Sequence, residues 1–206
     1  MKYYIDFDNT LFNTPLLTKA MLKHIVNEII AVHTNLNFDE VMAECKGMFN
    51  REHIYNIYEL AKYFSDKYNL DKDNVMKKLN DIIANTKDFL YDDSIDFLKK
   101  LKEAGHNLYI LSYCADSLTY QSAKISGSGI ADYFDALYIT SVPKYELDIN
   151  YQDGIFIDDN PQDLIGLYSK NPKQVIRIRR DGNKYSVAGL DNSEIIEYKL
   201  LSDINF

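Results

Sequence analysis

Short apolar runs that alternate with amphipathic segments constrain the fold of this chain more than any other feature. The segment SIDFLKKLKEAG has helical spacing, with Ser94 as the expected N-cap and Gly105 as the expected stop. Strands that alternate with helices predict an α/β protein with a parallel sheet and right-handed crossovers. The predicted strands are KYYID (2–6), NLYILS (107–112), ALYIT (136–140), GIFID (154–158) and QVIRIR (174–179), and further helices are expected at 115–126 and in PQDLIGLYSK. The late segment EIIEYKLL fits either a strand or a helix.

The first two strands are separated by a long helical stretch. Leu17, Met21, Ile25 and Ile29 recur at helical spacing, and three amphipathic segments follow: NFDEVMAECKGMF, EHIYNIYELAKYFSDKY and KDNVMKKLNDIIANT. A crossover between parallel strands needs only one helix, so we expect this stretch to form a separate insertion. Its single arginine, Arg51, is interpreted as a surface or helix-start residue.

Composition excludes several classes of protein. The 206 residues have a formal net charge of −8, whereas a nucleic-acid-binding protein normally has a basic face. Two cysteines are too few for a disulfide framework. The sequence shows no leader pattern and no apolar run long enough to span a membrane, so a cytoplasmic location is expected.

Polar side chains cluster where the predicted strands end. In a parallel sheet all carboxyl ends meet at one edge, and ligands bind there at the switch point of the strand order. The sequence therefore predicts a site for a hard cation and an anion at this edge. Its members are Asp6 and Asp8 after the first strand, Ser112 at the end of the second, Lys144 after the third, and Asp158, Asp159 and Asp163 at and beyond the end of the fourth.

These residue types favour phosphoryl transfer. Carboxylates cannot lie close together in a dry cleft without a counter-charge, and Mg²⁺ prefers a few carboxylates together with phosphate oxygens. A magnesium ion held by Asp6 and Asp159 would neutralise an incoming phosphate. Asp6 could then attack phosphorus, while Asp8 protonates the leaving oxygen and later deprotonates water.

The remaining groups suit the phosphate itself. Lys144 and Ser112 are expected to bind the equatorial phosphoryl oxygens, together with the backbone N–H groups of Phe7 and Asp8. The expected partner is therefore a small phosphorylated substrate, with no nucleic acid and no membrane.

Four motifs together resemble the haloacid dehalogenase-like phosphatases. DFDNTLF resembles the first signature of that family, a strand followed by Asp-x-Asp-x-Thr, and LYILS resembles the second. Lys144 can serve as the third, and GIFIDDNPQDL resembles the fourth. The four motifs occur in the family's order along the whole chain.

The resemblance implies a three-layer α/β/α core with a Rossmann-like sheet at 1–13 and 92–206, and a helical cap at 14–91 that favours small substrates. It assigns Asp6 as nucleophile and Asp8 as acid/base, with Mg²⁺ bound by the Asp6 side chain, the Asp8 carbonyl and the Asp159 side chain. Asp158 and Asp163 would support the site, and Thr10 would support the nucleophile loop and the phosphate site. Members that cleave carbon–halogen bonds generally lack the second aspartate, which is present here as Asp8.

Several alternatives stay open at this point. The same scaffold serves phosphomutases and phosphotransferases, which pass the phosphoryl group to a sugar hydroxyl, and it could also be a non-catalytic regulatory module that binds phosphate. Asp6 and Asp8 could form a strand-end turn, Asp158 and Asp159 a helix N-cap pair, and Ser112 a simple cap. Lys144 could be an ordinary surface lysine.

Overall fold

The computed structural model describes residues 1–51, 57–115 and 117–205, except for the side chains of 49–51. The first five residues of EHIYNIYELAKYFSDKY, a segment predicted to be helical, therefore lie outside the described part. The side chain of Arg51 also lies outside it. The elements in chain order are β1 (Lys2–Ile5), α1 (Thr14–Val32), α2 (Phe38–Arg51), α3 (Ile57–Lys67), α4 (Lys72–Ala84), α5 (Ser94–Glu103), β2 (Asn107–Tyr113), α6 (Leu118–Gly127), β3 (Ala136–Thr140), β4 (Gly154–Asp158), α7 (Pro161–Tyr168), β5 (Gln174–Ile178) and β6 (Ile196–Tyr198).

The strands form one parallel sheet in the order β3-β2-β1-β4-β5-β6. Strand β1 lies in the middle, with Ile5 level with Ile110 of β2 on one side and with Ile157 of β4 on the other. The predicted α/β class and parallel sheet are confirmed. The ambiguous segment EIIEYKLL contributes the short edge strand β6.

The chain divides into two compact units, one formed by Met1–Pro15 with Lys87–Phe206 and one by Leu16–Thr86. The first contains the sheet. The second is helical in its described part, where α3 packs on α2 and α4 and buries Leu60 and Phe64. That the helical unit acts as a cap stays a prediction. Among the helices in the described ranges, none is both long and apolar enough to cross a membrane.

One face of the sheet is built from aromatic side chains. Tyr4 of β1 stacks on Tyr109 of β2 at 4.9 Å and on Phe156 of β4 at 4.7 Å between ring centroids. Leu111 and Leu167 are buried in the same cluster. Cross-strand aromatic pairs stabilise a sheet beyond their buried area. They fix the register of the three strands whose ends form the site.

The predicted N-cap of α5 is wrong. Asp93 precedes the first helical residue, and Ser94 is the first residue within the helix. The Ser94 hydroxyl is buried and donates to the carbonyl oxygen of Leu11 at 2.8 Å. This serine therefore joins the start of α5 to the loop after β1.

The loop that bears Lys144 packs directly on α7. Lys144 begins a short 3-10 turn, and the ring of Tyr145 lies against Gly166 so closely that a Cβ there would be 2.1 Å from the ring. The Tyr151 hydroxyl lies 2.9 Å from the carbonyl oxygen of Lys144. Only glycine at position 166 allows the Tyr145 ring to lie so close. Together, the Tyr145 and Tyr151 contacts fix the backbone next to Lys144.

Replacing Gly166 tests this contact. Gly166→Ala should lower the free energy of unfolding by about 1–3 kcal/mol, because the added methyl group forces the Tyr145 ring to move. Urea denaturation measures this change. Gly189→Ala is the matched control, since a Cβ at Gly189 meets no atom within 4 Å. Equal stability of the Gly166 and Gly189 variants would contradict the packing described.

Candidate functional site

The predicted residues meet at the carboxyl edge of the sheet, where the strand order changes direction. β1 lies between β2 and β4, so Asp6 after β1 lies between Ser112 of β2 and Asp158 of β4. The Asp6 N–H donates to the carbonyl oxygen of Ile157 at 2.8 Å and continues the pairing of the two strands. This is the position at which parallel α/β sheets bind ligands.

Lys144 is the cationic centre of the site. It is 2% exposed, and its Nζ lies 2.6 Å from Asp6 Oδ1 and 2.6 Å from Asp158 Oδ2. Asp163 Oδ2 lies further away, at 4.0 Å. The interpretation of Lys144 as a surface lysine is therefore excluded. One buried ammonium group contacts carboxylates from two strand ends.

Three buried carboxylates form a group that could hold a metal ion. Asp6, Asp158 and Asp159 each offer an oxygen within 4.8 Å of the others. Both oxygens of Asp158 are engaged, since Oδ2 accepts from Lys144 and Oδ1 accepts from the N–H of Asn160 at 2.9 Å. Asp6 Oδ1 accepts from Lys144, and Asp159 Oδ2 accepts from Asn183 Nδ2 at 3.2 Å.

The hydrogen bonds of the described residues therefore leave one oxygen of Asp6 and one of Asp159 without a donor. Two such oxygens in a buried, oxygen-only site suit a hard cation such as Mg²⁺. The donor set thus fits a divalent cation, which Asp6 and Asp159 could hold through these oxygens, while Asp158 contacts Lys144.

The electrostatics of these carboxylates also favour a cation. Burial raises the pKa of Asp6 to about 8, although Lys144 opposes this change, and the nearby Asp158 raises it further. Burial, with Asp6 and Asp158, raises the pKa of Asp159 to about 9. Burial lowers the pKa of Lys144, but Asp158 and Asp6 outweigh it and raise that pKa above its ordinary range. A single lysine does not balance this set of carboxylates.

The loop after β1 turns sharply at Asn9 and is held by a hydrogen bond from Arg180. Asn9 adopts φ +61°, a left-handed conformation that asparagine tolerates better than most residues, and its N–H donates to the carbonyl of Phe12 at 2.6 Å. The carbonyl of Thr10 accepts from Arg180 Nη2 at 3.0 Å, and the same guanidinium pairs with Asp93 through both carboxylate oxygens. The Thr10 hydroxyl is buried, and no group in the described part of the protein bonds to it.

Asp8 lies in a separate cluster of donors. Lys124 Nζ donates to Asp8 Oδ1 at 2.6 Å, the Thr14 hydroxyl donates to the same oxygen, and Gln121 Nε2 donates to Oδ2 at 2.6 Å. Lys124 is 3% exposed and lies over the rings of Phe7 and Phe12, 5.6 Å from each centroid. Burial raises the pKa of Asp8, but Lys124, Thr14 and Gln121 outweigh it and lower that pKa.

Ser112 is fully buried and accepts a hydrogen bond from Gln121 Nε2 at 2.8 Å. The site therefore joins Asp6, Asp158, Asp159 and Lys144 in one cluster, and Asp8 and Ser112 in a second. Asp163 lies at the margin of the first cluster, where its carboxylate accepts from Asn160 Nδ2 at 2.8 Å. Phe7 contributes its backbone to the loop, while its ring stacks on Phe12 at 4.7 Å.

Sequence reasoning missed four residues of the site: Gln121, Lys124, Arg180 and Asn183. The first two lie three positions apart and share one face of α6. Their spacing on the helix after β2 was the only signal, and it does not reveal that the two side chains are buried. Asn183 and Arg180 lie beyond β5, in a segment without periodicity, and gave no comparable signal.

The sequence itself matches a family model. Residues 4–167 match the model of the haloacid dehalogenase-like hydrolases, which is most of the chain. The chain therefore belongs to the haloacid dehalogenase-like hydrolase family. A comparison with curated proteins returned no match.

Solved structures share the fold at low sequence identity. A haloacid dehalogenase-like hydrolase described from Burkholderia xenovorans is 15% identical, with a TM-score of 0.71, and the match covers 98% of this chain and 93% of that one. A HAD phosphatase from Thermococcus onnurineus is 19% identical, with a TM-score of 0.59, and the match covers 98% of this chain and 95% of that one. L-2-haloacid dehalogenase from Xanthobacter autotrophicus is 14% identical, with a TM-score of 0.56, and the match covers 98% of this chain and 95% of that one. The fold thus occurs with both chemistries.

The raised pKa values of Asp6 and Asp159 predict how stability depends on pH. The folded protein retains these protons up to about pH 8 and 9, whereas the unfolded chain loses them near 3.8. The unfolded chain thus binds fewer protons between these values, so the free energy of unfolding falls as pH rises. In chelator, urea denaturation should show lower stability at about pH 8.5 than at about pH 5.

Mg²⁺ should restore more stability at the higher pH, because a bound cation replaces the two protons. Asp159→Asn is the control, since it removes one of the two titrating groups and should flatten the dependence. A pH dependence equally steep in this variant and in the parent protein would rule out Asp159 as a source.

Proposed function

We propose that this protein is a Mg²⁺-dependent phosphatase that hydrolyses a small phosphorylated metabolite through an aspartyl-phosphate at Asp6. The observation that supports it most is the buried group of Asp6, Asp158 and Asp159 around Lys144. This group has an excess of negative charge and an oxygen-only donor set, so it suits a cation and an anionic substrate together. When bound, Mg²⁺ would neutralise charge on the phosphate and allow the carboxylate to approach it.

The residues of the chain divide the reaction between them. Asp6 attacks phosphorus, so that a bond forms from a carboxylate oxygen and the ester P–O bond breaks. Asp8 gives a proton to the leaving oxygen, then takes one from the water that attacks the aspartyl-phosphate and releases inorganic phosphate. Lys144, Ser112 and the loop N–H of Phe7 hold the phosphoryl oxygens.

Asp8 is an ionised carboxylate while Lys124 is its neighbour. A bound phosphate would bring negative charge close to it and raise its pKa. In this mechanism Asp8 therefore takes up its proton when the substrate binds.

A second carboxylate favours phosphate esters over haloacids. A halide leaves as a stable anion and needs no proton, whereas an alkoxide leaving group does. Asp8 is half-buried, accepts from Lys124, Thr14 and Gln121, and lies two residues after the proposed nucleophile, which supports hydrolysis of a phosphate monoester at its P–O bond. Phosphoryl transfer to a sugar hydroxyl uses the same residues with another acceptor, and release of inorganic phosphate distinguishes hydrolysis from it.

The nucleophile is tested by Asp6→Asn. This variant should lower kcat for p-nitrophenyl phosphate by at least about a thousandfold, because an amide cannot form the aspartyl-phosphate. EDTA should stop the parent enzyme, and added Mg²⁺ should restore it. Circular dichroism serves as the control that Asp6→Asn folds. Turnover equal to the parent's would remove Asp6 from the proposal, and full activity in EDTA would remove the metal.

The acid/base is tested separately by Asp8→Asn. p-Nitrophenolate leaves without a proton, so this variant should release one rapid burst of it per enzyme and then turn over slowly, since water is no longer activated. An alkyl phosphate such as β-glycerophosphate should give no burst, because its leaving group needs the proton. Stopped-flow absorbance measures the burst of p-nitrophenolate, quenched-flow assay of glycerol measures any burst on β-glycerophosphate, and phosphate release measures turnover on both. Bursts of equal size, or equally unimpaired turnover, on both substrates would contradict the assignment.

A further inference from the structure

Gln121 connects two residues that the proposed mechanism uses separately. It lies on α6 and is 1% exposed. Its Nε2 lies 2.6 Å from Asp8 Oδ2 and 2.8 Å from Ser112 Oγ. One side-chain amide thus joins the proposed acid/base to the proposed phosphate ligand.

The surroundings of Asp8 decide which way the amide points. Asp8 Oδ1 already accepts from Lys124 Nζ and from the Thr14 hydroxyl, so Asp8 is a carboxylate that only accepts. The oxygen of Gln121 would be repelled by this carboxylate. The NH₂ group therefore faces Asp8, and its two hydrogens reach Asp8 and Ser112 at the same time.

This orientation fixes the hydroxyl of Ser112. A serine hydroxyl has one hydrogen to donate, and its oxygen here accepts from Gln121. The hydrogen must then point away from Gln121. No acceptor in the described ranges receives it, although Ser112 is fully buried at the carboxyl edge of the sheet. It is left for an oxygen that enters the site from outside.

We propose that Gln121 is a positioning residue that commits the Ser112 hydroxyl to donate to a phosphoryl oxygen and holds Asp8 beside it. The proposal rests on the proposed function, in which Ser112 binds phosphate. Gln121 does not touch the substrate. It acts through Ser112, since a hydroxyl that is free to rotate would spend part of its time directed away from the phosphate.

A double-mutant cycle on the whole protein tests this dependence. The probe is inorganic phosphate, titrated calorimetrically in the presence of Mg²⁺. Ser112→Ala should weaken its Kd about tenfold, since a hydrogen bond to a charged group is lost. Gln121→Met should weaken Kd about threefold to tenfold. The double variant should bind no more weakly than Ser112→Ala alone, because Gln121 has nothing left to orient.

The controls separate this proposal from a structural effect. Gln162→Met changes a glutamine on the exposed side of α7 and should leave Kd unchanged. If Gln121→Met does not fold, Gln121→Ala is used in its place, because alanine has high helix propensity. Losses that add in the double variant would overturn the proposal, as would a Kd unaffected by Ser112→Ala. In either case, release of phosphate from p-nitrophenyl phosphate by the parent protein would show that the proposed function stands by itself.

Discussion

The contact between Lys144 and the carboxylates of Asp6 and Asp158 is the interaction on which the rest of the site depends. Both distances are 2.6 Å, and all three side chains are buried. Removing a buried charge leaves its partners unpaired, which costs more free energy than the pair itself contributes. The lysine must therefore be held firmly, and the close contact of Tyr145 with Gly166 and the hydroxyl of Tyr151 provide this support. The strand ends position the acids, but a packed loop positions the cation.

Another buried cation, Arg180, holds the loop after β1. Its guanidinium donates to the carbonyl of Thr10 and pairs with Asp93 through both oxygens, at 2.8 and 2.6 Å, while it lies 4.2 Å from the ring centroid of Tyr91. Asp93 also accepts from the N–H of Leu201. A planar guanidinium suits this arrangement because it can donate to a carboxylate and a carbonyl together. The loop with positive φ at Asn9 is thereby fixed by residues from three distant parts of the chain.

The sequence predicted the parts of this protein that follow from periodicity and strand ends. The parallel sheet was predicted because alternating strands and helices have few other solutions, and Asp6, Ser112, Asp158 and Asp159 could be placed because each follows or ends a strand. Lys124 and Gln121 could not be placed in this way, since polar residues inside a helix ordinarily face solvent. Ser94 failed as a cap because its hydroxyl bonds across the fold to Leu11, which local pattern cannot show. Arg180 and Asn183 lie in a segment whose conformation is set by tertiary contacts, so no local signal identifies them.

The two aspartates of the first motif lie in opposite electrostatic environments although they are two residues apart. Burial and neighbouring carboxylates raise the pKa of Asp6 to about 8, whereas Lys124, Thr14 and Gln121 lower that of Asp8. Carboxyl groups whose environments separate their pKa values in this way commonly divide acid–base work between them. Lys124 pairs with Asp8 and outweighs its burial, whereas Lys144 is shared between Asp6 and Asp158 and offsets the burial of Asp6 only in part. The negative charge around Asp6 is thus only partly balanced, so that a cation can relieve it, while the charge of Asp8 is already balanced by Lys124. A haloacid would use only the first of these two environments, and a phosphate ester would use both.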